Sequence, residues 1–427
     1  MTFHSRMSSA PAILKVPMAF HNKIPTFRFP QETLRIDYAV EKDRMLQPRY
    51  RGRALLQPRV DVGDYRFEAV LDWIEISFEI TIEDGPRQAQ NIQNKLYRFL
   101  KTLNSGSTIF VSGSQRTKGY IGRFFLLRLQ DPKPNELRKL LKFIERTYRL
   151  EYPERNPFRV VGVEIAFDAY PRDDGLVEDE VLDFRRWQMT NLFWRHIRFV
   201  NAYDEPKDAV RYFPPAPQGE KVKSERMLRG KYTRKPDRDA CADTKTARML
   251  DVRNYRTVPT DATLCIGRKG GPVMFRIMDK ITDGKDPSGK VRQVLGRNER
   301  RARIEVSLVI EEEQILDRDG LYFLEINTPE QLFGFRFHKW RRTFFSFYLP
   351  TLKMNGGEID ENECEMFKKA GVIGLEHYQA IRREIDEGRV PANGIAKELG
   401  EKEYLAAHDG LNERAREALR TLYRRWR

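Results

Sequence analysis

The sequence predicts an α+β fold: a largely antiparallel sheet with packed helices, followed by a C-terminal helical region. Between Phe67 and Asp168, period-two segments and helically spaced segments interleave as strand, helix, strand pair, helix, strand. From about Asn355 to the end the apolar spacing becomes helical. A chain of 427 residues exceeds one ordinary core, so two or three structural units are expected.

Residues 1–60 are rich in Pro, Arg and isolated aromatics and show little periodicity, which reads as a basic N-terminal arm. Phe27-Arg-Phe and Arg49-Tyr-Arg-Gly-Arg53 interleave rings and cations, as an arm lying on nucleic acid does; a disordered leader is the alternative. Residues 61–350 form the expected core. Its first strand, Phe67–Ile80, alternates so that Trp73, Glu75, Ser77 and Glu79 take one face and Ile74, Ile76, Phe78 and Ile80 the other. Gln88–Leu103 carries a helical stripe of Ile92, Leu96, Phe99 and Leu100. Strands at Ile109–Gly113 and Arg123–Leu129 follow, then a helix capped by Asn135 and reaching Tyr148. Arg159–Asp168 is the next strand, and Leu182–Val200 is an aromatic-rich helix read as core.

Residues 219–256 form a cationic insert of low hydrophobicity, read as a loop ordered on DNA or as a solvated linker. The apolar runs Thr263–Ile266 and Val273–Met278, joined through Gly267, Gly270, Gly271 and Pro272, predict a β-hairpin. Arg303 and Glu305 share one face of a further strand, and Phe333–Phe347 is dense in rings and arginines, mostly core. In the C-terminal helical region, 355–427, Ile395–Gly400 has the flavour of the first helix and turn of a helix-turn-helix. Arg414–Arg427 is a basic amphipathic helix.

The net charge of +15 favours a polyanionic partner, with nucleic acid ahead of a membrane surface. Three widely spaced cysteines form no zinc or disulfide pattern and suit a reducing cytoplasm. No membrane-spanning run, signal-peptide pattern, Walker A loop, GxGxxG motif or His-x-His pair is present. Two features bear chemistry. Glu164 and Asp168, four residues apart on a strand, share one face, where they suit either a divalent cation or solvent. Arg268 and Lys269 place positive charge on a glycine-rich tip that a phosphate backbone can approach closely.

Together these segments resemble the Rep_trans family of replication initiation factors, the rolling-circle plasmid initiators and related phage nickases and relaxases. The resemblance rests on Gly162-Val-Glu-Ile-Ala-Phe-Asp168, on Thr263–Lys280 ending Phe275-Arg-Ile-Met-Asp-Lys280, and on Arg303-Ile-Glu-Val-Ser-Leu-Val309, in that order. It implies that Glu164, Asp168 and Glu305 hold Mg²⁺ or Mn²⁺, and that Gly267, Arg268, Lys269, Arg276 and Arg303 meet DNA, with Asp279 and Lys280 closing the hairpin. In such enzymes the ion polarises the scissile phosphate and a tyrosine attacks it, leaving a 5′-phosphotyrosine and a free 3′-hydroxyl. The family's tyrosine position is Met278 here, and an earlier one is Cys265. A thioether cannot attack phosphate, so a displaced tyrosine serves, Tyr255 or Tyr232 being nearest, or the chain binds DNA without cutting it, or, as a third route, a metal-activated water makes it a plain nuclease.

The function expected is therefore replication-initiation-type DNA binding for a plasmid, phage or other mobile element. Endonuclease and strand-transfer activity is left open, with Tyr255 and Lys280 as the catalytic candidates. The alternative is a regulatory or architectural DNA-binding protein on the same fold. The expected partner is single-stranded or hairpin origin DNA and not a membrane; a homodimer is left open.

Overall fold

The computed structural model describes residues 36–40, 50–113, 119–151, 156–173, 175–198, 210–213, 225–226, 263–267, 271–285, 292–310, 321, 325–386 and 405–427. Two short strands, β1 (Tyr38–Val40) and β2 (Arg53–Pro58), precede the long strand β3 (Tyr65–Glu79). Helix α1 (Ala89–Thr102), β4 (Thr108–Ser112), β5 (Phe124–Gln130), α2 (Pro134–Thr147) and β6 (Arg159–Pro171) follow. Helix α3 (Asp179–His196) leads into β7 (Ile197–Arg198), β8 (Val210–Phe213) and β9 (Glu225–Arg226). Next come the hairpin β10 (Thr263–Ile266) and β11 (Val273–Lys280), strand β12 (Arg301–Val309) and helix α4 (Pro329–Phe333). The last elements are β13 (Ser346–Asn355), β14 (Glu358–Ile359), α5 (Glu361–Asp386), β15 (Leu405–Ala407) and α6 (Asp409–Trp426).

Nine strands make the main sheet, in the order β9-β8-β10-β11-β12-β6-β3-β5-β4, and each neighbouring pair is antiparallel. Alternation gives the sheet two unlike faces. Val163, Ile165, Phe167 and Ala169 of β6 and Ala302, Ile304, Val306 and Leu308 of β12 are at most 1% exposed. They join one apolar cluster with Ile92 and Leu96 of α1, Leu140 and Ile144 of α2, Phe193 of α3 and Leu419 of α6. Four helices thus cover one face, and each large apolar side chain buried there contributes about 1.5–3 kcal/mol. The intervening residues, Glu164 and Asp168 of β6 and Arg301, Arg303, Glu305 and Ser307 of β12, form a polar face.

One irregularity matters for that face. In the β3–β6 register Leu71 stands opposite Ile165 and Trp73 opposite Glu164, leaving Asp72 as the extra residue of a β-bulge. Counted back from Ile74, strict alternation would place Asp72 on the helix side; the bulge lets it join Trp73 on the polar face.

Helix α3 fills the space between the main sheet and a second sheet, β1-β2-β13-β14, in which β13 also pairs with β7 and β15. Phe193 packs 5.5 Å from Phe167 on one side and 5.8 Å from Phe347 on the other, which is why α3 is apolar on more than one stripe. Residues 53–58, expected in the arm, belong to this second sheet. Tyr50 is buried, and Arg53 donates to Glu363 at 2.6 Å and to the Thr351 hydroxyl at 2.9 Å. Phe27-Arg-Phe lies outside the described residues.

The C-terminal region is continuous with the core rather than separate, because α6 packs on β3 and Arg425 donates to the Ala69 carbonyl. Ile395–Gly400 lies outside the described residues. Helix α2 starts at Pro134 with Lys133 as its N-cap, two residues before the expected Asn135 cap. Helix α5 breaks at Gly371, whose φ of +63° and 2.7 Å approach of a would-be Cβ to Arg195 Cα explain the glycine. No helix among the described residues is long and apolar enough to cross a membrane.

His196, at the end of α3, is fully buried between the sheets. Its Nδ1 donates to the Tyr348 carbonyl at 2.7 Å, so its Nε2 accepts from the Tyr38 hydroxyl at 3.0 Å. Burial, followed by the charges of His408 and Arg195, holds its pKa well below 6.5, although the Tyr348 bond opposes this. The unfolded chain therefore takes up a proton that the native state refuses. Urea unfolding should show stability falling as pH drops below about 6.5, by up to about 1.4 kcal/mol per unit for this group. The Asn variant of His196 should lose that component of the slope.

Candidate functional site

The polar face concentrates its charge where β11, β12, β6 and β3 lie side by side. Arg276 stands opposite Glu305 across β11–β12, while Ser307 and Arg303 stand opposite Glu164 and Asp168 across β12–β6. Cross-strand partners point to the same side, so register alone assembles these groups. The β3 bulge adds Asp72. Carboxylate oxygens of Asp72, Glu164 and Glu305 lie within 4.8 Å of one another. Arg276 Nη2 is 2.9 Å from both Glu164 oxygens and 2.7 Å from Glu305 Oε2, and Ser307 Oγ donates to Glu164.

A second centre sits one step along the strands. Arg303 grips Asp168 with Nε at 2.6 Å and Nη2 at 2.7 Å, and Arg301 Nε approaches the same carboxylate at 3.2 Å. The remaining Arg303 nitrogen, Nη1, reaches Asp72 at 2.9 Å and Glu305 at 3.4 Å. Burial opposes the Arg303 charge, but Asp168, then Asp72 and Glu305, outweigh it and hold the guanidinium well above its ordinary pKa. The Glu305 carboxyl is also raised, which there disfavours its charge: burial raises it, Arg276 opposes that, and Glu164 adds to it.

Three converging carboxylates are a hard-oxygen donor set of the kind Mg²⁺ and Mn²⁺ accept. Asp72, Glu164 and Glu305 fit such an ion, since their oxygens converge and the buried Glu305 Oε2, although close to Arg276, accepts no hydrogen bond among the described residues. Arg276 occupies the same space. Its side chain is 35% exposed whereas those of Glu164 and Glu305 are 2% and 3% exposed, so it is the member that can leave toward solvent.

Of the predicted ligands, the structure brings Glu164 and Glu305 together but holds Asp168 apart. Asp168 is fully buried against Arg303 and Arg301, and Asp72 takes the third place. Arg303 does not face outward to meet DNA; it is 3% exposed and its donors are committed to carboxylates. Gly267 closes the hairpin with φ +94°, where a Cβ would lie 2.4 Å from the Val273 carbonyl oxygen. Lys280 pairs with Asp283 at 3.0 Å, beside Met278, which stands opposite Arg303 on the polar face. Asp279 faces α3 instead, accepting from Trp187 Nε1 at 3.0 Å and from Arg186 Nη2 at 3.2 Å. Arg268, Lys269, Tyr232 and Tyr255 lie outside the described residues.

Sequence reasoning missed Asp72 and Ser307. Asp72 carried a signal, because alternation would bury an unpaired carboxylate in the core, and a bulge is the physical remedy. No known protein-family model matches the chain, and no curated protein matches it at a significant level.

Removing one member of a buried charge group leaves the others uncompensated. Arg303→Met should lower the unfolding free energy in urea by about 3–5 kcal/mol. Arg276→Met, which removes a partly exposed guanidinium, should cost clearly less in the same measurement.

Proposed function

We propose that the chain is a DNA-binding protein of the replication-initiation type that engages single-stranded or hairpin DNA through the polar face of the main sheet. The observation that carries this reading is the convergence of Asp72, Glu164 and Glu305 beside the partly exposed Arg276. The net charge of +15 supports a polyanionic ligand. Asp72, Glu164 and Glu305 would hold Mg²⁺ or Mn²⁺, which supplies polarisation of phosphate oxygens. Arg276 exchanges its carboxylate partners for a DNA phosphate, with Lys280 flanking it on the same strand. Ser307 orients Glu164, and Arg303 fixes Asp72 and Glu305 in place.

Strand transfer needs a hydroxyl that Met278 lacks. Tyr170 shares the polar face, but burial, followed by the Asp168 charge, pushes its hydroxyl up to about 12, and Arg66 lies 4.2 Å from its ring centre. It therefore stays protonated at neutral pH and needs a base to act. Tyr255 is the other candidate. A reading of DNA binding without cleavage is favoured by two observations: Met278 in the tyrosine position, and Arg276 seated between Glu164 and Glu305.

Labelled single-stranded DNA with and without Mn²⁺ tests this. Mn²⁺ should tighten binding by about tenfold or more, and Asp72→Asn should lose that gain while keeping its affinity without metal. A covalent adduct mapped to a tyrosine establishes strand transfer; tight binding with neither adduct nor cleavage establishes binding alone. Absence of DNA binding under both conditions would contradict the proposal.

A further inference from the structure

The helix layer, on the far side of the sheet from the carboxylates, carries a second concentration of charge. The segment Phe337–Phe344 and its flanks lie on α6. Phe337 is 6.5 Å and Phe333 6.1 Å from the Trp426 ring, and His338 meets Tyr423 edge-on at 6.4 Å. With its rings turned inward, the segment turns its cations outward. Arg336, Lys339 and Arg342 are exposed, as are Arg416 and Arg420, one turn apart on α6.

These charges converge. After burial, Arg420, Arg336, Lys339 and Arg416 together lower the pKa of His338, and Arg342 and Arg416 contribute to lowering that of Arg341. The acids nearby do not balance them. Glu413 pairs with Arg416, Glu417 with Arg414 at 3.3 Å, and Glu325 with Lys339 at 2.7 Å, and exposed pairs of this kind are weak. Arg336, Arg342 and Arg420 form no ion pair among the described residues.

We propose that this surface is a second nucleic-acid site, which takes the phosphate backbone of duplex DNA while the polar face of the sheet takes a single strand. It rests on the preceding proposal only in taking DNA as the ligand. Phe337, Trp340 and Trp426 are buried, so the surface presents cations without a stacking platform for unpaired bases. Among the described residues its exposed face also carries no apolar anchor of the kind a membrane surface requires, since the large exposed apolar side chains (Ile82, Tyr97, Phe110, Ile121 and Leu176 among them) lie elsewhere in the chain. A regular array of phosphates is the ligand that remains. Because α6 packs on the apolar face of β3 and the carboxylates project from the other, one phosphate group cannot serve both sites.

The test uses the full chain with Arg336→Gln, Arg342→Gln, Arg416→Gln and Arg420→Gln combined, and a labelled random-sequence duplex. All four positions are exposed, and an unchanged melting curve checks the fold. Duplex affinity should fall by more than about tenfold, and the slope of log affinity against log salt should become shallower by about 3–4. The Arg416→Gln, Arg420→Gln pair alone should flatten the slope by about 2. Mn²⁺-dependent binding of single-stranded DNA should be unchanged in the combined variant, and Asp72→Asn should leave duplex binding intact. Unchanged duplex affinity and slope in a folded combined variant would overturn the proposal. So would loss of binding to vesicles of acidic phospholipid with duplex binding retained. If single strands fail to bind but the duplex effects hold, the sheet-face reading falls and this one stands.

Discussion

The Arg303 guanidinium sits where β3, β6 and β12 meet, and its nitrogens are divided among Asp168, Asp72 and Glu305. Carboxylates at this density inside a sheet repel one another and lose hydration, and a guanidinium with fixed donors can offset both effects. Bidentate contact with Asp168 locks its plane, which in turn aims its remaining nitrogen at the two carboxylates of the candidate site. Arg303 is therefore a positioning residue, and it lies too deep to touch a ligand.

That charge group is tolerable only because the opposite face of the same strands is so apolar. Each residue of β6 and β12 between Val163 and Ala169, and between Ala302 and Leu308, alternates between a helix-covered core and the polar cluster. Helix α3 connects the two functions. Its Phe193 fills the core between the sheets, while Arg186 and Trp187 hold Asp279 and so secure β11, the strand that presents Arg276 and Met278 on its other side. The bulge at Asp72 is the remaining device, since it turns one side chain of an otherwise alternating strand toward the carboxylates.

The period-two runs at Phe67–Ile80, Arg159–Asp168 and Arg303–Ile310 made the sheet and its α+β class legible, because burial on one face leaves a strong alternating imprint. The hairpin at Thr263–Lys280 was readable from its two apolar runs and the glycine- and proline-rich turn between them. Glu164 and Glu305 could be found from position on a strand, but their meeting depends on register, which no local pattern encodes. Asp168 illustrates the difference: it shares a face with Glu164, yet its neighbour across the strand is Arg303, and the pair closes on itself. The second sheet stayed hidden because Ala54, Leu55 and Leu56 form too short an apolar run to stand out from the basic residues around it.

The two charged surfaces divide along the sheet, with carboxylates and Arg276 on one side and the cations of α6 and its covering segment on the other. The two proposals together call for a ligand that offers a single strand to one face and a duplex to the other, as a DNA hairpin does. The carboxylate site is the centre of this account, and anomalous scattering from a crystal soaked in Mn²⁺ tests it most directly. A Mn²⁺ peak bounded by Asp72, Glu164 and Glu305 is expected, with the Arg276 side chain moved toward solvent. No peak at saturating Mn²⁺, with Arg276 still bonded to Glu164 and Glu305, would contradict it.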